Sequence, residues 1–137
     1  MSPERKGPGD PMEWLRRARS NLSRAKADRD LPEVLYEDLC FDAQQAAEKS
    51  LKAVLVHRRV GFPKTHDINV LLGLLRNCGV DVPDEICQAD SLTAFAVDTR
   101  YPGLTEPVTR AEYEQAVELA QRVLRWAESI ILGPAEQ

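Results

Sequence analysis

The chain has 137 residues, which is enough for one domain with a single ordinary hydrophobic core. Apolar residues make up 43% of it and charged residues 29%, a composition that excludes an intrinsically disordered protein. No apolar run approaches the roughly 18–20 residues that a membrane-spanning helix needs. The net charge of −4 argues against indiscriminate binding to nucleic acid. The three cysteines have no CxxC spacing and an odd count, so we expect buried or free thiols in a reducing cytoplasm.

Proline, glycine and charged residues fill the start of the chain, and we expect residues 1–11 to form a loose leader. A helical domain is predicted over residues 12–132, followed by a short tail at 133–137. The first helix of this domain is predicted over residues 12–28. Its apolar residues recur at helical spacing and are Leu15, Ala18, Leu22 and Ala25. Arginines and a lysine occupy its other faces, as is usual for a solvated helix surface.

The strongest helix prediction concerns FDAQQAAEKSLKAVL, residues 41–55, which contains neither Gly nor Pro. The whole helix is predicted over residues 33–59, with a left-handed C-cap at Gly61. One face is apolar and carries Leu39, Ala43, Ala46, Ala47, Leu51 and Val54. The alanines on this face allow another helix to approach closely. On another face Glu48 precedes Lys52 by four residues, the favourable order for an ion pair.

Three further helical segments complete the predicted fold. Thr65 is the predicted N-cap of a third helix that ends near Gly79, and a fourth, less regular helix is predicted over residues 83–98. Thr109 and Glu112 have the spacing of a capping box, which starts the last helix. No strand-like alternation is present. The sequence therefore predicts an all-α fold, an up-and-down bundle of four main helices plus a shorter helix.

Three segments resemble, in the expected order, the landmarks of HEPN domains, the higher-eukaryote and prokaryote nucleotide-binding family. FDAQQAAEKSLKAVL is similar to the signature helix of that family, KTHDINVLL to its Thr-His-Asp helix start, and DTRYPG to its Arg-Tyr-Pro loop. The resemblance covers roughly residues 12–132. It implies a short helical bundle that forms homodimers. It also implies a minimal nucleotidyltransferase as partner, with nucleotide binding in some members and metal-independent RNA cleavage in others.

The ribonucleases of this family carry an Arg followed a few residues later by a His, near the dimer cleft at the start of a late helix. This chain departs from that pattern, because no His follows Arg100 and the two histidines are His57 and His66. Arg59 and His66 have a suitable spacing, yet they flank the turn after the second helix. We therefore favour binding over cleavage. His66, Arg59 and Arg100 remain the candidate catalytic residues of an alternative function.

A phosphate site is predicted in the basic stretch between the second and third helices. Lys64 and His66 flank Thr65 at a predicted helix start, where backbone amides and the helix dipole favour an anion. Lys49 and Lys52 lie on the polar face of the second helix and would add positive charge. The alternative is structural. In that interpretation Thr65 only caps a helix, His66 only packs or is exposed, and the two lysines belong to a solvated face.

Arg100 and Tyr101 form the second part of the predicted site. A guanidinium group offers a planar fork for phosphate, and a tyrosine ring offers a surface on which a base can stack. Pro102 and Gly103 would hold both side chains at a tight turn. In the structural alternative, Arg100 pairs with a carboxylate such as Glu48, and Tyr101 plugs the end of the bundle.

The sequence thus predicts a cytoplasmic HEPN-type protein that binds a nucleotide or RNA phosphate as the accessory or toxin-like partner of a minimal nucleotidyltransferase. The residues predicted to bind the phosphate are Lys49, Lys52, Lys64, His66, Arg100 and Tyr101. One alternative is a metal-independent ribonuclease toxin, and another is a purely structural homodimer that binds a protein partner. Gly-rich phosphate loops and HExxH, CxxC and GxSxG motifs are absent, so neither a metal site nor a cofactor is predicted.

Overall fold

A computed structural model describes residues 9–27 and 30–133, and for Arg100 it describes the backbone alone. The α-helices in this part of the chain are α1 (Pro11–Ala27), α2 (Tyr36–His57), α3 (Ile68–Asn77), α4 (Asp84–Cys87) and α5 (Arg110–Leu132). Two 3₁₀ segments, Gln88–Ala96 and Asp98–Arg100, follow α4. No strand occurs among the described residues. The predicted all-α bundle, with four main helices and a shorter one, is confirmed.

The apolar stripe of α2 forms the centre of the core, as predicted. Its six members are at most 2% exposed and are Leu39, Ala43, Ala46, Ala47, Leu51 and Val54. Because half of them are alanines, the neighbouring helices can approach α2 closely, and α1, α3, α5 and the segment Gln88–Ala96 all pack against it. Fully buried side chains such as Leu51 and Leu55 stabilise the fold by about 1.5–3 kcal/mol each.

α1 lies antiparallel to both α2 and α5. Trp14, near the start of α1, lies beside Lys52, near the end of α2. The hydroxyl of Tyr113, near the start of α5, donates a hydrogen bond of 2.6 Å to the carbonyl of Ala25, near the end of α1. Carbonyls in the last turn of a helix lack an intrahelical donor. Tyr113 therefore satisfies one of these carbonyls and fixes the position of α5 against α1.

α2 is shorter than predicted at both ends. Leu35 has an extended backbone (φ −86°, ψ 144°), so the helix begins at Tyr36 and not at residue 33. At the other end the predicted left-handed C-cap at Gly61 is wrong. Arg59 takes the left-handed conformation instead, with a φ of 62°, and α2 ends at His57. The turn thus closes two residues earlier than the glycine suggests.

The predicted N-cap of α3 is also wrong by two residues. Asp67 caps α3, because its Oδ1 accepts a hydrogen bond of 3.0 Å from the amide of Asn69. The Thr65 hydroxyl instead accepts a hydrogen bond from the amide of Asp67. Thr65 therefore orders the residue that caps the helix.

The segment predicted as one fourth helix contains a single α-helical turn, α4, followed by a longer 3₁₀ stretch. Polar side chains in this stretch bond to nearby or packed backbone: the Ser91 hydroxyl donates to the carbonyl of Gln88, and the Thr93 hydroxyl accepts from the amide of Ile68. The bond of Ser91 is local and competes with α-helical hydrogen bonding, whereas that of Thr93 ties the stretch to the start of α3. The predicted capping box at the start of α5 is confirmed, with both of its hydrogen bonds formed.

The predicted leader (residues 1–11) and tail (133–137) lie mostly outside the described residues, so both stay predictions. Among the described helices, none combines the length and the apolar character that crossing a membrane requires.

Candidate functional site

The carboxylate of Glu48 is the centre of a buried polar cluster on α2, and only 2% of this residue is exposed. Lys52 Nζ donates to Glu48 Oε2 at 2.7 Å. Gln44 Nε2 and Gln45 Nε2 donate to Oε1 at 3.0 and 3.1 Å. The Nδ1 atom of His66 lies 3.0 Å from the same Oε1. A buried charge must be paired and hydrogen-bonded, and these four partners meet that requirement.

Glu48 is ionised in this environment. Burial by itself raises the pKa of the Glu48 carboxyl, but hydrogen bonds from Lys52 and His66 outweigh this effect and lower it. An ionised carboxylate only accepts hydrogen bonds, so His66 Nδ1 carries a proton. The other ring nitrogen, Nε2, is then left for a ligand, on a side chain that is 62% exposed.

The ammonium group of Lys52 is enclosed. Its Nζ lies 5.6 Å from the centre of the Trp14 ring and 5.5 Å from that of Phe62, within cation–π range. The two rings meet edge to face with their centres 6.0 Å apart. The structural alternative, in which Lys52 belongs to a solvated face, is therefore wrong, since the residue is 7% exposed. A phosphate could reach Lys52 only if these rings moved.

Lys49 lies on the neighbouring face of α2, partly buried against α1. Its Nζ donates to Asn21 Oδ1 at 2.8 Å, and Asn21 Nδ2 donates to Asp42 Oδ1 at 3.0 Å. Burial lowers the pKa of Lys49, and the negative charge of Glu48 opposes that shift. The Lys49 ammonium is thus held against α1 by its hydrogen bond to Asn21.

Lys64 is exposed two residues before His66, on the connection between α2 and α3. The backbone amides at the start of α3, which the sequence assigned to an anion, have other partners. The amide of Ile68 donates to the Thr93 hydroxyl, and the next amide donates to the carboxylate of Asp67. A phosphate near His66 would therefore depend on side chains more than on this helix start.

Tyr101 lies away from the Glu48 cluster. It is 65% exposed and lines a shallow depression together with Asp38, in the first turn of α2. Asp38 precedes Glu48 by ten residues, which is about 15 Å along a helix. Tyr101 therefore does not plug the bundle. The side chain of Arg100 lies outside the described part of the chain, so its predicted contact with phosphate and its alternative pairing with Glu48 both stay predictions.

The two arginines after α2 differ in their roles. Arg58 is structural, since its Nη2 donates to the carbonyl of Cys78 at 3.0 Å and ties the end of α2 to the end of α3. Arg59, a catalytic candidate, is exposed on the left-handed turn. His66, another catalytic candidate, is held on both sides: its ring contacts Glu48, and the backbone carbonyl of His66 accepts a hydrogen bond from Gln44.

Sequence reasoning found Lys52 and His66 but missed Gln44, Trp14 and Phe62, which complete the cluster around Glu48. Gln44 is completely buried, and its Nε2 bridges Glu48 and the backbone of His66. The available signal was a pair of adjacent glutamines inside an alanine-rich helix. Trp14 and Phe62, which enclose Lys52, carried no such signal, because their positions depend on packing between distant segments.

These contacts define an all-α bundle whose central helix buries a Glu–Lys pair and holds an exposed histidine. A model of the HEPN domain matches residues 11–130. The crystal structure of an archaeal HEPN homologue is similar to this fold with a TM-score of 0.71 and 25% identity, covering 90% of this chain and 98% of that chain. The chain belongs to the HEPN domain family, as the resemblance predicted. None of the curated proteins matches it.

Proposed function

We propose that this HEPN protein binds the phosphate of a nucleotide or of an RNA strand at His66. The observation that carries the proposal is the 3.0 Å contact between His66 Nδ1 and Glu48 Oε1. The buried carboxylate fixes the orientation of an exposed imidazole. Its Nε2 presents a lone pair when the ring is neutral and an N–H donor when the ring is protonated. The protonated form is suited to a phosphate oxygen.

Two lysines support the phosphate site in this proposal. Lys64 is exposed and close in sequence to His66, and Lys49, the residue after Glu48 on α2, adds a positive charge that interacts with the Glu48 carboxylate. Lys52 acts indirectly, by holding Glu48 in its ionised form. Arg100 and Tyr101 would contact a ligand that extends along α2 towards Asp38, such as an RNA strand.

Calorimetric titration of the purified chain with ATP, with GTP and with a short single-stranded RNA tests this proposal. Replacement His66→Ala should weaken binding at least about tenfold, the loss expected for a charge-assisted hydrogen bond. His57→Ala is the matched control, since His57 is also exposed and lies at the end of α2. Absence of heat with all three ligands, or equal losses in both variants, would contradict the proposal.

A metal-independent ribonuclease is the second candidate function, and the same contact favours it. A carboxylate that fixes the tautomer and orientation of a histidine is the usual arrangement for general acid–base catalysis. The ribose 2′-hydroxyl would attack the adjacent phosphorus while the bond from phosphorus to the 5′-oxygen of the next nucleotide breaks. His66 Nε2 would take the proton of the hydroxyl and return it to the leaving 5′-oxygen, and Arg59 or Arg100 would stabilise the negative charge on the non-bridging phosphate oxygens. RNA cleavage in the presence of EDTA that His66→Ala abolishes and His57→Ala retains would establish it. If the chain binds RNA without cleaving it, the ribonuclease function is contradicted and phosphate binding remains.

The partners follow from family membership in this proposal. The chain would act as a homodimer and as the accessory or toxin-like subunit of a minimal nucleotidyltransferase. Light scattering tests the first part, because a particle of 15.4 kDa would correspond to a monomer and contradict the dimer. Co-expression with a nucleotidyltransferase encoded beside this chain, followed by affinity purification of both, tests the second part.

A further inference from the structure

Gln44 is a completely buried glutamine, and both hydrogens of its side-chain amide are engaged. Its Nε2 atom donates one hydrogen to Glu48 Oε1 at 3.0 Å and the other to the backbone carbonyl of His66 at 3.1 Å. Its Oε1 atom accepts a hydrogen bond of 2.8 Å from Gln45 Nε2. A side-chain amide has two donor hydrogens and one acceptor oxygen, so Gln44 uses all three of its polar positions.

The orientation of the Gln44 amide follows from its backbone partner. A backbone carbonyl only accepts hydrogen bonds, so the atom of Gln44 that lies 3.1 Å from the carbonyl of His66 is the nitrogen. The oxygen of Gln44 then faces Gln45, which must donate to it. The second hydrogen of Gln45 Nε2 is donated to Glu48 Oε1 at 3.1 Å. One carbonyl thus sets the direction of the hydrogen bonds that join the two glutamines to Glu48.

His66 is held at two points, and Gln44 contributes to both of them. The ring of His66 contacts Glu48 Oε1 through Nδ1, and the same oxygen accepts from Gln44. The backbone carbonyl of His66 is bonded to Gln44 directly. His66 lies in the connection between α2 and α3, outside both helices. The position of its ring therefore depends on these side-chain bonds.

We infer that Gln44 is a positioning residue for His66. It holds the imidazole against Glu48 as the Nδ1–H tautomer and keeps the lone pair of Nε2 in a fixed place. Gln44 is completely buried, so it acts through Glu48 and the backbone of His66 and does not contact a ligand itself. The tautomer follows from the hydrogen bonds alone, whereas the effect of Gln44 on ligand affinity rests on the phosphate site proposed above.

¹⁵N NMR of the full chain tests the tautomer. The chain contains two histidines, so the spectrum contains two imidazole rings, and His66→Ala assigns them. At a pH high enough that both rings are neutral, the His66 ring should carry its hydrogen on Nδ1. The exposed His57 should instead show a mixture of both tautomers, as free histidine does. A His66 ring with its hydrogen on Nε2 would overturn the inference.

A variant then tests the role of Gln44 in the same spectrum. Gln44→Met introduces a side chain of similar length that has no hydrogen-bond donor, and it should move the His66 signals towards the mixture of tautomers. Gln115→Met is the matched control, because Gln115 is an exposed glutamine of α5, and it should leave the His66 signals in place. Circular dichroism checks that both variants remain helical. Unchanged His66 signals in a folded Gln44→Met variant would contradict the positioning role.

Hydrogen exchange in the original protein covers the case in which Gln44→Met does not fold. Both side-chain amide hydrogens of Gln44 are bonded inside a buried site, so they should exchange with solvent at least about tenfold more slowly than those of the exposed Gln115. Similar exchange rates for the two glutamines would overturn the inference.

A double-mutant cycle separates positioning from general stabilisation. In calorimetric titrations with ATP, GTP or single-stranded RNA, whichever binds most tightly, Gln44→Met should weaken binding about three- to tenfold. In the His66→Ala background the same change should cost less than about twofold, because no ring is left to position. Equal losses in both backgrounds would overturn the inference. If the original protein binds none of the three ligands, the phosphate proposal fails, and the ¹⁵N spectra alone decide whether Gln44 positions His66.

Discussion

The ammonium of Lys52 lies 2.7 Å from the carboxylate of Glu48, and both side chains are less than 10% exposed, one helical turn apart on α2. This pair connects three separate segments, because Trp14 of α1 and Phe62 of the α2–α3 connection cover Lys52, while His66 contacts Glu48. A buried ion pair adds little net stability but is damaging to break, since the remaining charge stays buried. Its contribution here is geometric: it fixes the ring of His66.

Removal of Lys52 should therefore destabilise the protein strongly. Lys52→Ala leaves the Glu48 carboxylate without its counter-ion and should lower the free energy of unfolding by about 3–5 kcal/mol. Lys64→Ala removes an exposed lysine of the same region and should change it by less than about 0.5 kcal/mol. Urea denaturation monitored by circular dichroism measures both values. Similar small effects in the two variants would mean that Lys52 is solvated.

The lowered pKa of Glu48 predicts a specific loss of stability in acid. The folded protein binds the Glu48 proton less tightly than the unfolded chain does, where the pKa is near its ordinary value of 4.5. The stabilising contribution is therefore complete above that value and is lost as the pH falls through the lower pKa of the folded state.

Glu48→Gln tests this dependence. The variant is less stable overall, because Lys52 loses its partner, but its free energy of unfolding should fall less steeply between about pH 5 and pH 3. Glu114→Gln removes a carboxylate that is 57% exposed and should keep the slope of the original protein. Denaturant titrations at several pH values give these slopes. Identical slopes in all three proteins would show that Glu48 is not the group that titrates.

Replacement of Thr99 by Val should stabilise the free protein. The Thr99 hydroxyl is buried without a hydrogen bond, so a methyl group of similar size removes an unmet polar group and should raise the free energy of unfolding by about 1 kcal/mol. Thr65→Val is the control, because the Thr65 hydroxyl accepts a hydrogen bond from the amide of Asp67. That change should lower the free energy of unfolding by about 0.5–1.5 kcal/mol. A loss of stability in Thr99→Val would indicate that the hydroxyl has a partner.

Local spacing was sufficient to predict much of the fold. The alanine stripe of α2, the Glu48–Lys52 pair and the capping box of α5 all depend on residues within a few positions of each other, and all three are present. Family resemblance added His66 and the Arg-Tyr-Pro loop as candidates, although sequence could not assign a ligand to either.

The enclosure of the polar face of α2 could not be predicted in this way. Whether Lys52 meets water depends on Trp14 and Phe62, which lie far from it in sequence and close in space. The distance of Tyr101 from Glu48 likewise depends on the path of the two 3₁₀ segments that precede Tyr101. A second kind of error arose where two residues could perform one local task, as with Asp67 and Thr65 at the start of α3.

The turn after α2 is a further example of such competition, and it can be tested directly. Arg59 has a φ of 62°, a conformation that costs a non-glycine residue roughly 1–2 kcal/mol, whereas Gly61 is not in the left-handed region. Arg59→Gly relieves this cost but increases the entropy of the unfolded chain, so we expect a net gain of about 0.5–1 kcal/mol in the free energy of unfolding.

An added Cβ at Gly61 would meet nothing within 4 Å, and Gly61→Ala should also be neutral or stabilising. Gly79→Ala, at a φ of 91°, is the matched control and should destabilise by about 1–2 kcal/mol. If Gly61→Ala destabilises as much as Gly79→Ala, the left-handed residue is Gly61 after all. If Arg59→Gly is more stable but abolishes cleavage of RNA in EDTA, Arg59 contributes to catalysis and its strained backbone is retained for that function.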